Sequence, residues 1–515
     1  MKFSKLARLL LIVIALGVGW RATAVGQSVG AGTKAGSEVA PRIKGAAPAN
    51  PAKLRERLGI SPAFDAVPGP SVDAVKVAVL DYGFEGIPQG PGDGRYLPTS
   101  AEVVEDFDPE FVRRNNLGDP EYRKAFEPGN RHGRDMAQII WALAGSHPSG
   151  PKFYLLNANG PTMLRRAVRF AVEKQVNIIL FSGSFDGGGN GDGRGPIDRI
   201  VDEAVGRGIM WINATGNYGG HVFDAPIRLT KDGFLKLRSG SSSSSSTGSI
   251  PDVASIRFIN RVDENVVTIT LTWTDYRDLE DVGTDKDLDL LILDPTGRQV
   301  GSGTKVQLTG AGGPKPDPDD TSRNPRERVV LNNLAAFPVV SNDPESAYRI
   351  KVRAKTGRFL ASDRLRILVS AARESYVPPG GGTPQEALTL LEASNRSELY
   401  PPADHTAVFT VGDAGPVSSV GPTLDGRIKP DAVLLDSRVD FTDGMISAGS
   451  SNAAAEVAGV AVILKAAEPR MTPRHLFQIA RQSPSLTPQA DRAKLNLHVW
   501  QTPTRTRLSE IVRTR

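Results

Sequence analysis

Four residues combine a reactive or polar side chain with a place at the end of a predicted element. Asp81 follows the apolar run 75–80 (VKVAVL) and precedes Tyr82 and Gly83. His132 and Gly133 stand at the head of 134–144, whose apolar spacing predicts a helix. Ser451 follows Gly449 and Ser450 and opens a second predicted helix, rich in Ala453, Ala454, Ala455 and Ala458. Asn217 ends the tetrapeptide ATGN after the apolar run 209–214 (IMWINA). A serine hydroxyl becomes a nucleophile when a base takes its proton and a carboxylate orients that base. An amide beside it can donate to the oxyanion that the attack creates. Singly, each residue has a plainer role: a serine caps a helix, an aspartate sits in a loop, a histidine is solvated. Together, in the chain order Asp, His, Ser, they supply an orienting acid, a base, a nucleophile and an oxyanion donor. Of the six histidines, only His132 opens an apolar helix within a glycine-flanked motif.

The elements that must position these residues alternate. Runs 75–80, 152–156 (KFYLL), 176–181 (VNIILF) and 209–214 read as buried strands, and 134–144, 163–174 and 197–205 read as helices. The alternation predicts an α/β fold, a parallel sheet flanked by helices, with chemistry at the carboxyl ends of its strands. The rhythm stops near Tyr218. A low-complexity stretch, SGSSSSSSTGS, occupies 239–249. After it, 266–273 (VVTITLTW), 288–293, 329–331, 348–354 and 365–371 read as strands joined by turns. They predict an inserted all-β domain, a sandwich or jelly roll. A helix at 386–393, a strand at 407–411 and the helix after Ser451 then resume the first rhythm. The expected division is 1–24 signal peptide, 25–71 Gly/Ala/Pro-rich arm or linker, 72–225 first part of the α/β domain, 226–249 flexible linker, 250–378 inserted β-sandwich, 379–500 second part with the serine motif, and 501–515 basic tail.

Composition narrows the classes. The chain has 515 residues and no cysteine, which excludes disulfides, thiolate metal sites and a cysteine nucleophile. Lys2, Lys5 and Arg8, the apolar run 9–20 and Ala22-Thr23-Ala24 make an export signal, with cleavage expected after Ala24. The apolar run is shorter than the ~20 residues a membrane span needs. Removing that segment, with its four cations, takes the net charge from +5 to +1. So weak a field leaves no basis for nucleic-acid binding.

The motifs resemble those of the subtilisin-like serine peptidases, the subtilases. VAVLDYG at 77–83 is similar to the family's Asp motif, HGRDMA at 132–137 to HGTHVA, ATGN at 214–217 to AAGN, and GSSNAAAEVAG at 449–459 to GTSMAAPHVAG. SSVGPTLDGRIKPD at 418–431 matches SSxGPTxDGRIKPD, and NIILFSGS at 177–184 resembles the strand ahead of the substrate-binding segment. The resemblance covers roughly 72–225 and 386–480. It implies an exported serine endopeptidase working through an acyl-enzyme. Ser451 would attack the peptide carbonyl, His132 would carry the proton, Asp81 would orient the imidazole, and Asn217 with the Ser451 N–H would bind the oxyanion. Ser182, Gly183 and Ser184 would line the cleft and pair with an extended peptide. Partners are then protein or peptide substrates, with membrane contact only through the uncleaved signal segment. No cofactor is required for the chemistry.

The β-domain resembles a β-barrel found in some large secreted subtilases. Its acids Asp275, Asp278, Glu280, Asp281, Asp285, Asp287 and Asp289 offer the oxygen ligands calcium prefers, but their spacing matches no standard calcium loop, and a solvated acidic loop is expected. Five positions depart from the family pattern near the site. Tyr82 replaces a small hydroxyl residue, Asp135 the usual second His, Asn452 a Met, and Ala455-Glu456 a Pro-His pair. The alternative they leave open is a subtilase-fold protein that binds peptides or partners and turns over poorly or not at all. A third reading makes the β-domain a surface or carbohydrate binder, against which its few aromatics, Trp273, Tyr276 and Tyr348, weigh.

Overall fold

A computed structural model describes residues 47–64, 72–84, 97–98, 101–104, 130–144, 150–238, 253–279, 282–309, 320–336, 347–377, 383–486 and 497–513. The expected signal peptide and the serine-rich stretch lie outside the described residues. Short, largely apolar runs form β1 (Lys76–Asp81), β2 (Glu102–Val104), β3 (Lys152–Asn157), β4 (Ile178–Phe181) and β5 (Met210–Ala214). With two later strands, Phe409–Asp413 and Ala432–Leu434, they make a seven-stranded sheet in the order β2-β3-β1-β4-β5 followed by those two, parallel throughout. Val77, Ala78, Val79 and Leu80 of β1 are all buried, as expected for a strand covered on both faces.

One face is covered by α2 (His132–Leu143) and by the long helix Ser450–Ala467; the other by α3 (Pro161–Glu173) and α4 (Pro196–Val205). The Ser450–Ala467 helix is apolar almost all round, and small residues let it run deep. A Cβ placed on Gly459 would come within 2.9 Å of the Leu143 side chain, so this glycine sets how closely the helix approaches α2. A separate core fills the inserted domain. That domain is a sandwich of a five-stranded and a four-stranded antiparallel sheet. It leaves the α/β sheet after β5 and returns at Phe409–Asp413, which lies beside β5 with Phe409 opposite Ile212.

The domain borders differ from expectation. Val222–Pro226 (β6) pairs with Arg364–Ala371, and Leu388–Leu390 pairs with Ser255–Asn260, so the sandwich takes in strands on both sides of 250–378. The helix expected at 386–393 is absent. Leu388 and Leu390 are buried while Thr389 between them is half-buried, a period of two that belongs to a strand. The first part of the expected linker 226–249 is also structured: Leu235 and Leu237 are buried in the sandwich core. At the amino end, α1 (Pro51–Arg57) buries Leu54 in the α/β core, with Leu58 and Ile60 just beyond it, so this half of the arm is part of the domain. At the other end, the helix Arg505–Arg513 buries Leu508 and Ile511 in that core. Arg505, Arg507 and Arg513 of the expected basic tail therefore lie on a docked amphipathic helix.

Candidate active site

Asp81 is the last residue of β1 and His132 the first of α2, so both stand at the carboxyl edge of the sheet. A Cβ on Gly133 would lie 2.5 Å from the Asp81 Cβ and 2.6 Å from the Phe84 ring. Glycine is needed there for α2 to come close enough. The result is a 2.7 Å contact between His132 Nδ1 and Asp81 Oδ2, in which the imidazole N–H donates to the carboxylate. The other oxygen of Asp81 accepts from the backbone N–H groups of Tyr82 (2.7 Å) and Gly83 (3.2 Å). Asp81 is buried, and its two oxygens are held from opposite sides.

Binding through Nδ1 leaves Nε2 as the free nitrogen of His132. It is buried and has no hydrogen-bond partner. Burial by itself pushes the imidazolium down, but the charge and hydrogen bond of Asp81, joined by the charge of Asp135, outweigh it. The His132 pKa therefore lies above its ordinary value.

Ser451 is the second residue of its helix, after Ser450, with Gly449 at the cap in a left-handed conformation (φ 121°). A Cβ on Gly449 would lie 3.4 Å from the Asn217 amide atoms. Asn217 Oδ1 accepts from the Ser450 hydroxyl (2.9 Å) and N–H (3.3 Å), which fixes the amide beside the helix start. The Ser451 hydroxyl donates to the Ser182 carbonyl at 3.3 Å, and the Ser182 hydroxyl donates to the Ser451 carbonyl at 3.4 Å. Of the cleft residues read from the sequence, Ser182 thus meets Ser451 directly. The Gly183 carbonyl accepts from Asn213 (3.0 Å), and the Ser184 hydroxyl pairs with the Tyr218 hydroxyl (3.0 Å). All three residues are buried. Asn213 and Tyr218 were missed as supports. An asparagine inside the otherwise apolar run IMWINA was the signal that could have found Asn213.

Each departure from the family motif has a visible place. The Tyr82 ring lies nearly parallel to the His132 imidazole, 13° between planes and 6.3 Å between centroids. Asp135 is buried against Arg131 (2.8 Å) and Arg134 (3.5 Å). Asn452 bridges two neighbours, accepting from the Ser447 hydroxyl and donating to the Ser437 carbonyl, both at 3.0 Å. Glu456 is fully buried, and both its oxygens lie 2.7 Å from Arg57 of α1. In the β-domain, Lys286 stands between Asp275 (3.1 Å) and Asp363 (3.0 Å), and Lys355 faces Asp289 at 3.5 Å. Asp278 and Asp285 are exposed; Glu280 and Asp281 lie outside the described residues. Lysines therefore supply cations where the sequence had offered oxygen ligands. Among the described residues no three Asp, Glu or His side chains gather around a common point fit for a metal.

A profile of the subtilase family matches residues 73–495. No curated protein matches the chain. Among solved structures, the CspB protease of Clostridium perfringens is similar at 15% identity and a TM-score of 0.51, over 90% of this chain and 98% of that one. MycP1 from Mycobacterium smegmatis (13%, TM-score 0.33, 90% and 84%) and the nisin leader peptidase NisP from Lactococcus lactis (10%, 0.35, 89% and 92%) are more remote. The likeness to CspB is one of fold. Among the described residues no helix is long and apolar enough to cross a membrane. With a family match that spans most of its length, an α/β sheet of the expected kind and an aspartate, histidine and serine at its edge, the chain belongs to the subtilase family of serine peptidases.

Proposed function

We propose that this chain is an exported serine endopeptidase. The observation that carries the reading is the His132 imidazole, bound to Asp81 at Nδ1 with Nε2 unclaimed, in a fold that also brings the Ser451 hydroxyl and the Asn217 amide to one helix start. Nε2 accepts the Ser451 proton as the hydroxyl oxygen attacks the peptide carbonyl. The Ser451 backbone N–H and the Asn217 amide receive the oxyanion. The imidazolium, stabilised by Asp81, then protonates the leaving amine, and water reverses the sequence to release the acid. The hydroxyl first leaves the Ser182 carbonyl, a 3.3 Å contact that a rotation about χ1 breaks. An extended peptide running along 182–184 supplies the substrate, and the basic, apolar, small-residue start of the chain supports export.

One observation favours a second reading, a binding protein with weak turnover. In this structure the Ser451 hydroxyl is spent on Ser182 and His132 Nε2 has no partner, so the nucleophile and base are not hydrogen-bonded. Hydrolysis of a mixed peptide library by the wild type and by Ser451→Ala separates the two. Cleavage that disappears in the variant supports the peptidase. Identical silence from both, with retained peptide binding, supports the second reading.

A further inference from the structure

We propose that the inserted β-sandwich is the backing of the substrate cleft, and that Thr270, Arg326 and Arg366 of its four-stranded sheet are positioning residues for the segment 184–186. This role rests on the peptidase reading, with 182–184 as the cleft wall. Along a sandwich strand, side chains alternate between the core and solvent. The strand Asn265–Trp273 keeps half of that rule: Val267, Ile269, Leu271 and Trp273 lie in the sandwich core. The residues between them should be wet, yet Thr270 is 1% exposed and Thr272 2%. Opposite them on the neighbouring strand Arg364–Ala371 stand Leu368 and Arg366, 2% and 3% exposed. So dry an outer face is a covered one, and the α/β domain covers it.

Two struts run from this sheet to one short segment. In the first, the Thr270 hydroxyl donates to Asp186 Oδ2 at 2.9 Å, and Arg326, on the adjacent strand Arg326–Leu334, donates to Oδ1 at 3.3 Å. Asp186 is buried and stands two residues after Ser184. In the second, the Arg366 guanidinium lies over the Tyr400 ring, 4.2 Å from its centre, and donates to the Leu399 carbonyl at 2.5 Å. Tyr400 meets Tyr218 edge to face, 5.5 Å between centres, and the Tyr218 hydroxyl pairs with that of Ser184 at 3.0 Å. Tyr218 follows Asn217 directly, so this strut also ends beside the oxyanion donor.

A third contact closes the loop beyond. The Asn190 side chain accepts from the Tyr276 N–H at 2.8 Å and donates to the Tyr276 carbonyl at 3.0 Å. The cleft wall is thus held from behind by the inserted domain at residues 184, 186 and 190. A buried carboxylate that loses a donor is costly, and the cheapest relief is for Asp186 to move, taking the wall with it. A shift of about 1 Å in a group that orients substrate can cost roughly 10²-fold in rate. On this account the sandwich serves the cleft rather than acting as a separate surface or carbohydrate binder.

The test compares the full chain with Thr270→Val, Arg326→Met and Arg366→Met, and with Arg257→Met, which breaks the ion pair to Glu392 in the other sheet of the sandwich. Two rates are measured in each: kcat/KM for an extended peptide that the wild type cleaves, and fluorophosphonate labelling of Ser451, which needs the serine, its base and the oxyanion donors but no peptide along 182–184. Melting temperature reports folding. The first three variants should lower kcat/KM for the peptide by about tenfold or more, and labelling by much less. Arg257→Met should leave the ratio of the two rates as in the wild type, whatever it does to the melting temperature. Peptide cleavage and labelling that fall in the same proportion, or a ratio in Arg257→Met that falls as far as in the others, overturns the proposal and leaves the sandwich a stabiliser only. A folded wild type that neither cleaves nor labels refutes the peptidase reading instead. The same five proteins are then compared by Kd for a peptide from the library, and equal affinity in all five overturns the backing role as well.

Discussion

Replacing Arg57 by Met should destabilise the protein strongly at pH 8 and little at pH 5. Arg57 lies on α1 and is the partner of Glu456, on the nucleophile helix five residues after Ser451. Glu456 is 0% exposed. Burial pushes its pKa up, Arg57 pulls it back, Asp436 and Asp413 push it further, and the balance is about 7. The folded value is thus above the unfolded one, near 4.5. The stability this group contributes is full below pH 4.5 and is lost as pH rises through 7. A difference of roughly 2.5 pH units corresponds to about 3 kcal/mol. Without Arg57, a charged Glu456 has no counter-ion, and breaking a buried pair in this way costs about 3–5 kcal/mol. At pH 5 the carboxyl is protonated in the fold, and the loss shrinks to packing and the exposed contacts of Arg57 with Asp436 (3.1 Å) and the Arg438 carbonyl (2.8 Å), about 1 kcal/mol. Urea unfolding of the Ser451→Ala chain with and without Arg57→Met, at both pH values, measures the difference. Glu456→Gln should flatten the pH dependence. Equal destabilisation by Arg57→Met at pH 5 and pH 8, or a pH profile untouched by Glu456→Gln, would refute the reasoning.

Three further outcomes follow from the site. Asn217→Leu should lower kcat by about 10²–10³ with little change in KM, since its amide serves the oxyanion; a loss confined to KM would assign it to substrate binding instead. Asp135→Asn should move the acid limb of the kcat/KM profile to lower pH. Asp135 helps hold the His132 pKa up, and catalysis needs the neutral imidazole, so removing that charge extends activity downward. Gly449→Ala forces a side chain into a left-handed backbone against the Asn217 amide; it should cost about 1–3 kcal/mol in a thermal melt and reduce kcat at the same time.

What could be read from the sequence was local. Asp81, His132 and Ser451 announce themselves because each ends or opens an apolar element, and β1, α2 and the Ser450–Ala467 helix lie within two residues of where their periodicity puts them. The inserted domain showed as a change from helix–strand alternation to strands alone. Its borders did not. Val222–Pro226 sits close after a parallel strand, and Leu388–Leu390 offers only three residues of alternation, too few to distinguish from a helix turn. Contacts between distant parts of the chain were beyond a reading by spacing. Arg57 and Glu456 are 399 positions apart, and nothing in either neighbourhood names the other.

The most direct test of the account is covalent labelling of the purified, signal-free protein by a fluorophosphonate, followed by peptide mapping. A single adduct on Ser451, absent in Ser451→Ala and in His132→Ala, is the predicted result, because it requires a serine activated by that imidazole. A folded protein that takes no label, or takes it equally in His132→Ala, would contradict the claim that Asp81, His132 and Ser451 work as one catalytic unit.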